Sequence, residues 1–203
     1  MTSNRRNWSV FLCAIAATSF MAATYLSLAG SNDETILVTL RASARLAFVM
    51  LLIVFVARPL HQMFRTPLTA TLLRNRRLLG IAFAGIHTAH LGLIIYRARL
   101  VESFDFTVGA NLPGTVSYIV ILVMFLTSFD ATAKMLGPKS WRLLHKVGLY
   151  WLFVAFTQTQ LPDSLDRLDQ LDHVNWLLLV LIAAALIVRL TAYLAKRQRN
   201  TRT

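Results

Sequence analysis

The chain has 203 residues, of which 56% are hydrophobic and only 15% charged, with a net charge of +12 and a mean hydropathy of +0.57. A soluble domain carries about 25% charged residues, so this composition and its long apolar runs exclude an ordinary soluble enzyme and favour a membrane protein. The positive charge is better explained by basic loops kept in the cytoplasm than by binding to nucleic acid.

Six apolar segments of membrane length follow one another along the chain. The first has the flanks of a secretion signal, but its apolar run of roughly 20 residues exceeds the 7–15 of a signal core, so we predict a retained helix. Together the segments predict an all-α integral membrane protein, a single bundle of six transmembrane helices without a soluble domain. The predicted spans are residues 8–29, 38–57, 78–97, 114–131, 144–161 and 174–195.

The segments between these spans alternate in charge. If the N-terminus lies inside, the cytoplasmic segments hold fifteen of the 21 Lys and Arg residues, and the outer segments hold eight of the nine acidic residues. Because basic residues are retained on the cytoplasmic side, this pattern predicts a multi-pass protein of the bacterial inner membrane with both termini in the cytoplasm.

Three histidines fall within the predicted spans or at the start of one: His87, His90 and His145. An ionisable group in the bilayer costs free energy and is a functional candidate, although interhelical hydrogen bonding is the more ordinary role. A zinc site needs three or four converging ligands, whereas haem needs only one or two axial ligands from facing helices. Among cofactors, haem is therefore the most economical prediction.

Arginines within the spans have two interpretations. Arg41, Arg45 and Arg189 lie within a few turns of an interface, where long side chains extend to the headgroups. Alternatively they neutralise the propionates of a bound cofactor. The outer segment "LPDSLDRLDQLDH" similarly indicates either a cation-binding or docking patch or, more commonly, the solvated face of a short helix.

Two stretches, "RRLLGIAFAGIHTAH" and "FLTSFDATAKMLGPKSWRLLHKVGLY", carry a family resemblance. They resemble the ferric reductase-like transmembrane domain family, and within it the haem-binding membrane subunits of periplasmic methionine sulfoxide reductase systems. "RPLHQMFRTPL", at the end of the second span, is similar to the proline-containing turn of that family. The pattern in the second stretch consists of Thr127, Ser128, Leu136, Gly137, Trp141, Leu144, His145 and Tyr150.

The resemblance implies a six-helix bundle that holds haem b and passes electrons across the membrane. In the family, spans three and five each carry two haem ligands about 13 or 14 residues apart. Those positions correspond here to Arg76 and His90, and to His145 and Gln158. Only two of the four are histidine, and His87 is a possible substitute ligand.

The two matching histidines are predicted to lie at different depths. His90 is 14 residues beyond Arg76, about 21 Å along a helix, whereas His145 is four residues beyond Trp141, about 6 Å from the interface. The difference of roughly 10–15 Å makes one haem ligated by both histidines doubtful. Three alternatives remain: a haem at the outer level on His90, with Gln158 or no ligand opposite; a haem at the inner level on His145, with Arg76 or Arg77 near its propionates; or a chain that keeps the fold and has lost the cofactor.

The sequence therefore favours a membrane b-type cytochrome-like subunit that relays electrons, at most one part of an oxidoreductase. Without a glycine-rich nucleotide fingerprint, its electrons must come from a separate flavoprotein or quinol, and they would leave to a periplasmic or membrane protein. The alternative is a haem-free scaffold or accessory subunit of a larger membrane complex. A transporter is less favoured, because polar groups at the midplane and broken helices are mostly missing.

Overall fold

The computed structural model describes residues 3–100, 112–161 and 171–200. Within these residues the backbone forms helices and no strand, so the all-α prediction is confirmed. Most of the acidic outer segment lies outside the described residues. The helices are α1 (Ser3–Ala29), α2 (Asp33–Phe64), α3 (Pro67–Leu100), α4 (Leu112–Leu126), α5 (Asp130–Leu136), α6 (Pro138–Gln158) and α7 (His173–Asn200).

The prediction of six membrane spans is supported only in part. By length and apolar composition, four of the described helices could each cross a bilayer: α1, α2, α3 and α7. A fifth crossing is possible if α4 and α5 are taken as one span bent by 102°. Helix α6 falls short because Lys139, Arg142 and Lys146 occupy its first half and leave only a short apolar run.

The helix in the predicted fourth span, 114–131, is interrupted near its end. Helix α4 stops at Leu126, and α5 begins at Asp130 in a new direction. The carbonyl of Ser128, in the break, accepts hydrogen bonds from the Arg77 guanidinium and from Asn7, and Arg77 also pairs with Asp130 at 2.7 Å. The break is thus held in place by side chains of α1 and α3, which satisfy groups that a continuous helix would pair internally.

Helix α2 is the centre of the bundle and packs against α1, α3, α6 and α7. Its buried face carries Phe48 and Phe55, both less than 2% exposed. Phe55 stacks on Phe153 of α6 with ring centroids 4.1 Å apart. Ala47 and Ser43 lie on the same buried face, and such small residues allow helices to approach closely in a membrane.

The bundle has two chemically distinct ends. The basic end contains the α2–α3 turn, α5, the start of α6 and the end of α7. The acidic end contains the α1–α2 turn, where Asp33 pairs with Arg97 at 2.6 Å, and the start of α7, where Asp172 pairs with Arg45 at 2.7 Å. Desolvation acts to raise the pKa of the exposed Asp172 carboxylate, but hydrogen bonds from the Asn175 N–H and from Arg45 hold it below its ordinary value.

Candidate functional site

His87 lies in a nest of aromatic rings in the middle of α3. It is 7% exposed, and its ring centroid lies 4.6 Å from that of Tyr118, 5.1 Å from that of Phe156 and 5.2 Å from that of His90. Its Nδ1 has no hydrogen-bond partner among the described residues. Leaving a buried polar atom unpaired costs about 1–3 kcal/mol. Because no hydrogen bond to Nδ1 offsets this cost, it is packing against the surrounding rings that holds His87 in place.

His90, one helical turn further along α3, has a defined partner. Its Nδ1 lies 2.8 Å from the hydroxyl of Ser43 on α2. Ser43 is fully buried, and the same hydroxyl lies 3.0 Å from the carbonyl of Leu40. The orientation of the His90 ring is therefore fixed from the neighbouring helix.

His145 lies two turns into α6, near the basic end. Its Nε2 is 3.1 Å from the Thr127 hydroxyl, just beyond α4, and its ring stacks on Trp141 with centroids 4.2 Å apart. Trp141 in turn donates its indole N–H to the Thr127 carbonyl at 2.8 Å. That carbonyl is available because α4 has ended, so the helix break helps to position the histidine.

His145 borders a partly open cavity of about 960 Å³ at the basic end, between α2, α3, α4, α6 and α7. The apolar part of its wall includes Leu51, Phe83, Ile121 and Leu149. Among the lining residues that the structure describes there is no carboxylate, so this cavity is suited to an anionic ligand with a large apolar body. The cationic lining residues are Arg58, Arg74, Arg76, Arg77, Arg142, Lys146, Arg189 and Lys196.

Pro59 organises one wall of this cavity. It lies inside α2, and because proline has no N–H, the carbonyl of Phe55 four residues earlier lacks its normal helical partner. Arg189 of α7 donates Nη1–H to that carbonyl at 2.9 Å. Arg76 donates Nε–H to the adjacent carbonyl of Val54 at 3.0 Å. Two guanidinium groups are thus fixed on the wall by the backbone around a proline.

Arg189 makes further contacts that hold it in place. Its Nη2 donates to the Tyr150 hydroxyl at 2.8 Å. Its guanidinium carbon lies 4.0 Å from the ring centroid of Phe55 and 4.6 Å from that of Tyr150, within the range of cation–π attraction. These contacts hold Arg189 on the wall of the cavity, whereas Arg41 is exposed and Arg45 pairs with Asp172.

We expect Arg189→Ala to destabilise the protein more in the natural background than in Pro59→Ala. In the natural protein the Phe55 carbonyl would lose its donor, whereas an alanine in place of Pro59 would supply a backbone N–H to it. The coupling between the two substitutions should be about 1 kcal/mol, measured as free energies of unfolding of the four proteins in detergent micelles. Thr88→Val, which removes a hydroxyl bonded within α3, should show no such coupling, and equal losses for Arg189→Ala in both backgrounds would refute this role.

The structure brings some of the predicted site residues together and separates others. His87 and His90 share one level of α3, while His145, Arg76 and Arg77 border the cavity at the basic end, which His87 and His90 do not line. Gln158, the last residue of α6, has an exposed side chain. The predicted separation of His90 and His145 in depth is consistent with this arrangement.

Arg76 and Arg77, which the sequence left as alternatives, have different surroundings. Arg77 is engaged with Ser128 and Asp130 at the break between α4 and α5. Arg76 is bound to the wall of the cavity through Nε alone among the described contacts. Of the two, Arg76 is the better placed to meet a ligand inside the cavity.

Several polar residues of the site escape sequence reasoning. Ser43 and Tyr118 read as ordinary members of apolar spans, and Thr157 has a buried hydroxyl without a partner among the described residues. The only sequence signal for these three residues is a hydroxyl side chain that interrupts an apolar run. No three His, Cys, Asp or Glu side chains of the described ranges converge as a metal-binding group.

Comparison with known proteins identifies the family. The profile of the family described as ferric reductase like transmembrane component matches residues 42–157, more than half of the chain. The chain is also 32% identical over 114 residues to the protein-methionine-sulfoxide reductase heme-binding subunit MsrQ of Cronobacter sakazakii, a match that covers 51% of this chain and 52% of the relative, about half the length of each. No solved structure matches the chain. The residues matched by the profile include Ser43, His90, Thr127 and His145, and the chain belongs to the ferric reductase-like transmembrane family.

Proposed function

We propose that the chain is a haem-binding subunit of the membrane that relays electrons through its helical bundle. His90 and His145 are the proposed iron ligands, at two levels of the bundle, with His87 as the alternative ligand on α3. Membership of the family and the similarity to a relative named as a heme-binding subunit support this proposal. The depth difference between the two histidines favours separate haems over one shared haem.

The observation that carries the proposal is the cavity beside His145. Haem is a flat, largely apolar group with two anionic propionates, and it needs a space with apolar walls, cations at one edge and an axial ligand. The cavity offers all three: its volume is about 960 Å³, its charged lining residues are all cationic, and His145 lies on its wall. Arg76 and Arg189, already fixed on α2 carbonyls, would hold the propionates.

When bound, haem would supply an iron that accepts and releases one electron at a time. The protein would orient the group, balance the charge of its propionates and keep water away. Hydrogen bonds to the ligating imidazoles would set how readily the iron is reduced. The aromatic cluster of Phe83, Tyr118 and Phe156 around His87 would exclude water at the His90 level.

The proposed partners follow from what the chain itself lacks. With no recognisable flavin or nicotinamide fingerprint in its sequence, a separate flavoprotein or membrane quinol would donate the electrons. The relative is named as a subunit of a protein-methionine-sulfoxide reductase, so we propose a periplasmic or membrane-bound reductase of oxidised methionine as the acceptor. The proposed location is the bacterial inner membrane, with the basic end and both termini in the cytoplasm.

The test is a reduced-minus-oxidised visible spectrum of the purified protein, with haem quantified as the pyridine haemochrome. We expect a b-type α-band, with one component lost in His90→Ala and another in His145→Ala. His61→Ala is the matched control, because His61 lies in the last turn of α2, bonds Thr69 and does not line the cavity. Full haem content in both His90→Ala and His145→Ala would refute the ligand assignment.

The second candidate is a haem-free scaffold that binds other membrane proteins through its helix faces. The exposed side chain of Gln158, at a position where the family carries a ligand, favours this alternative. A flat spectrum from folded protein produced with ample haem would establish it over the electron-transfer proposal.

A further inference from the structure

We infer that Ser43 is a positioning residue for His90: its hydroxyl holds Nδ1–H of the imidazole and leaves Nε2 as the nitrogen free to bind iron. This inference rests on the proposed haem site at His90 and adds to it a residue on a different helix. It predicts that a hydroxyl on α2 controls the affinity and the redox potential of a haem bound from α3.

The hydrogen-bond inventory of Ser43 gives the direction of the bond. A serine hydroxyl has one proton to donate and lone pairs to accept with. The Leu40 carbonyl, 3.0 Å away, can only accept, so the proton points to it. The oxygen of Ser43 then accepts from His90 Nδ1 at 2.8 Å. This direction satisfies both contacts at once, whereas donation to Nδ1 would leave the Leu40 contact unused.

The consequence for His90 is a fixed tautomer. In a neutral imidazole one nitrogen carries the proton and the other a lone pair. With the proton on Nδ1, Nε2 carries the lone pair. Histidines that bind metals commonly donate their second N–H to a protein acceptor, which fixes the tautomer, orients the ring and increases its basicity. Ser43 is fully buried, so water does not compete for this bond.

The other two histidines show that this arrangement is particular to His90. His87, on the same helix, has an Nδ1 without a partner among the described residues, so no hydrogen bond there orients its ring through that atom. His145 is bonded through Nε2 to a Thr127 hydroxyl that also lies 2.7 Å from the Val123 carbonyl. Because the Thr127 hydroxyl donates its proton to the Val123 carbonyl, it accepts from His145 Nε2–H, and the lone pair of that imidazole lies on Nδ1. Of the three, only His90 has Nδ1 engaged and Nε2 free within the described part of the chain.

The experiment compares Ser43→Ala and Ser43→Thr in the full-length protein in detergent. The readouts are the haem affinity and the midpoint potential of the spectral component that His90→Ala removes. We expect haem binding 10- to 100-fold weaker in Ser43→Ala, as is typical when a partner of a metal ligand is lost, together with a shifted potential. Ser43→Thr keeps the hydroxyl but adds a methyl group at a fully buried position, so it should restore part of the affinity and of the potential. Ser43→Cys, with a weaker donor and acceptor, should be intermediate.

Thr39→Val is the matched control. Thr39 lies one turn earlier on α2, is buried, and bonds the Thr35 carbonyl of its own helix, so removing its hydroxyl should leave both readouts unchanged. Natural affinity and potential in both Ser43→Ala and Ser43→Cys would overturn the inference, even where His90→Ala still abolishes the component. If Ser43→Ala does not fold, Ser43→Cys decides by the same readouts. If the natural protein itself binds no haem, the result refutes the proposed function instead.

Discussion

Replacing Gly80 by phenylalanine should expel a ligand from the cavity at the basic end while leaving the protein folded. Gly80 lies on the α3 wall of the cavity, and a Cβ at this position would meet nothing within 4 Å. A benzyl group would therefore project into open space that a haem on His145 needs. If the ring costs the ligand about 1–3 kcal/mol, as overpacking commonly does, affinity falls by about 5- to 150-fold.

The measurement is haem content and the amplitude of the spectral component that His145→Ala removes. The component lost in His90→Ala should persist, because His90 does not line this cavity. Gly92→Phe is the control, since Gly92 lies on the same helix but outside the cavity, and a Cβ there would also meet nothing within 4 Å. Full occupancy in Gly80→Phe would mean that the cavity does not hold the haem.

The long apolar runs made the helical fold predictable. A segment of about 20 apolar residues has few alternatives to a helix in a bilayer, because every backbone group must be paired internally. The sequence did not reveal that the fourth segment breaks. The run through Phe125, Leu126 and Phe129 is apolar enough to continue, and the break is stabilised by Arg77 and Asn7, which are distant in sequence.

The proposed ligands were predictable because a histidine in an apolar span is conspicuous. Their depths could also be worked out, since α-helical rise converts residue number into distance. The partners of these histidines could not, because Ser43 and Thr127 are 47 and 18 residues away in sequence from the rings they contact. Contacts of this kind depend on how helices rotate against each other, which periodicity in a uniformly apolar span does not determine.

The cavity, too, was predictable in its charge and not in its arrangement. Its cations were visible as basic segments, and the positive-inside rule explained them without any ligand. The position of Arg189 among them depends on Pro59, which frees the Phe55 carbonyl that Arg189 binds. A residue that usually signals a helix boundary here directs a cation from another helix inward.

Gly85→Val should have the largest effect on stability, because α1 and α3 meet at this glycine. A Cβ at Gly85 would lie 2.7 Å from the Phe11 carbonyl oxygen and 2.8 Å from the Ala14 Cβ. The first neighbour is backbone, so a side-chain rotation cannot relieve the clash, and the two helices would have to separate. Small residues at such crossings allow the close packing on which helix association in membranes depends. Overpacking usually costs about 1–3 kcal/mol, and a backbone clash should reach about 3 kcal/mol or more.

Thermal unfolding in detergent measures the loss of stability in Gly85→Val. Gly92→Val is the control for the change in helix propensity that comes from replacing a glycine by valine. Both glycines lie inside α3, but Gly92 has open space where Gly85 touches α1. Because glycine is less favourable than other residues inside a helix, Gly92→Val should be neutral or slightly stabilising. Gly85→Ala should already be destabilising, since its Cβ meets the same two atoms. A melting temperature for Gly85→Val equal to that of Gly92→Val would show that α1 does not pack on α3 at this point.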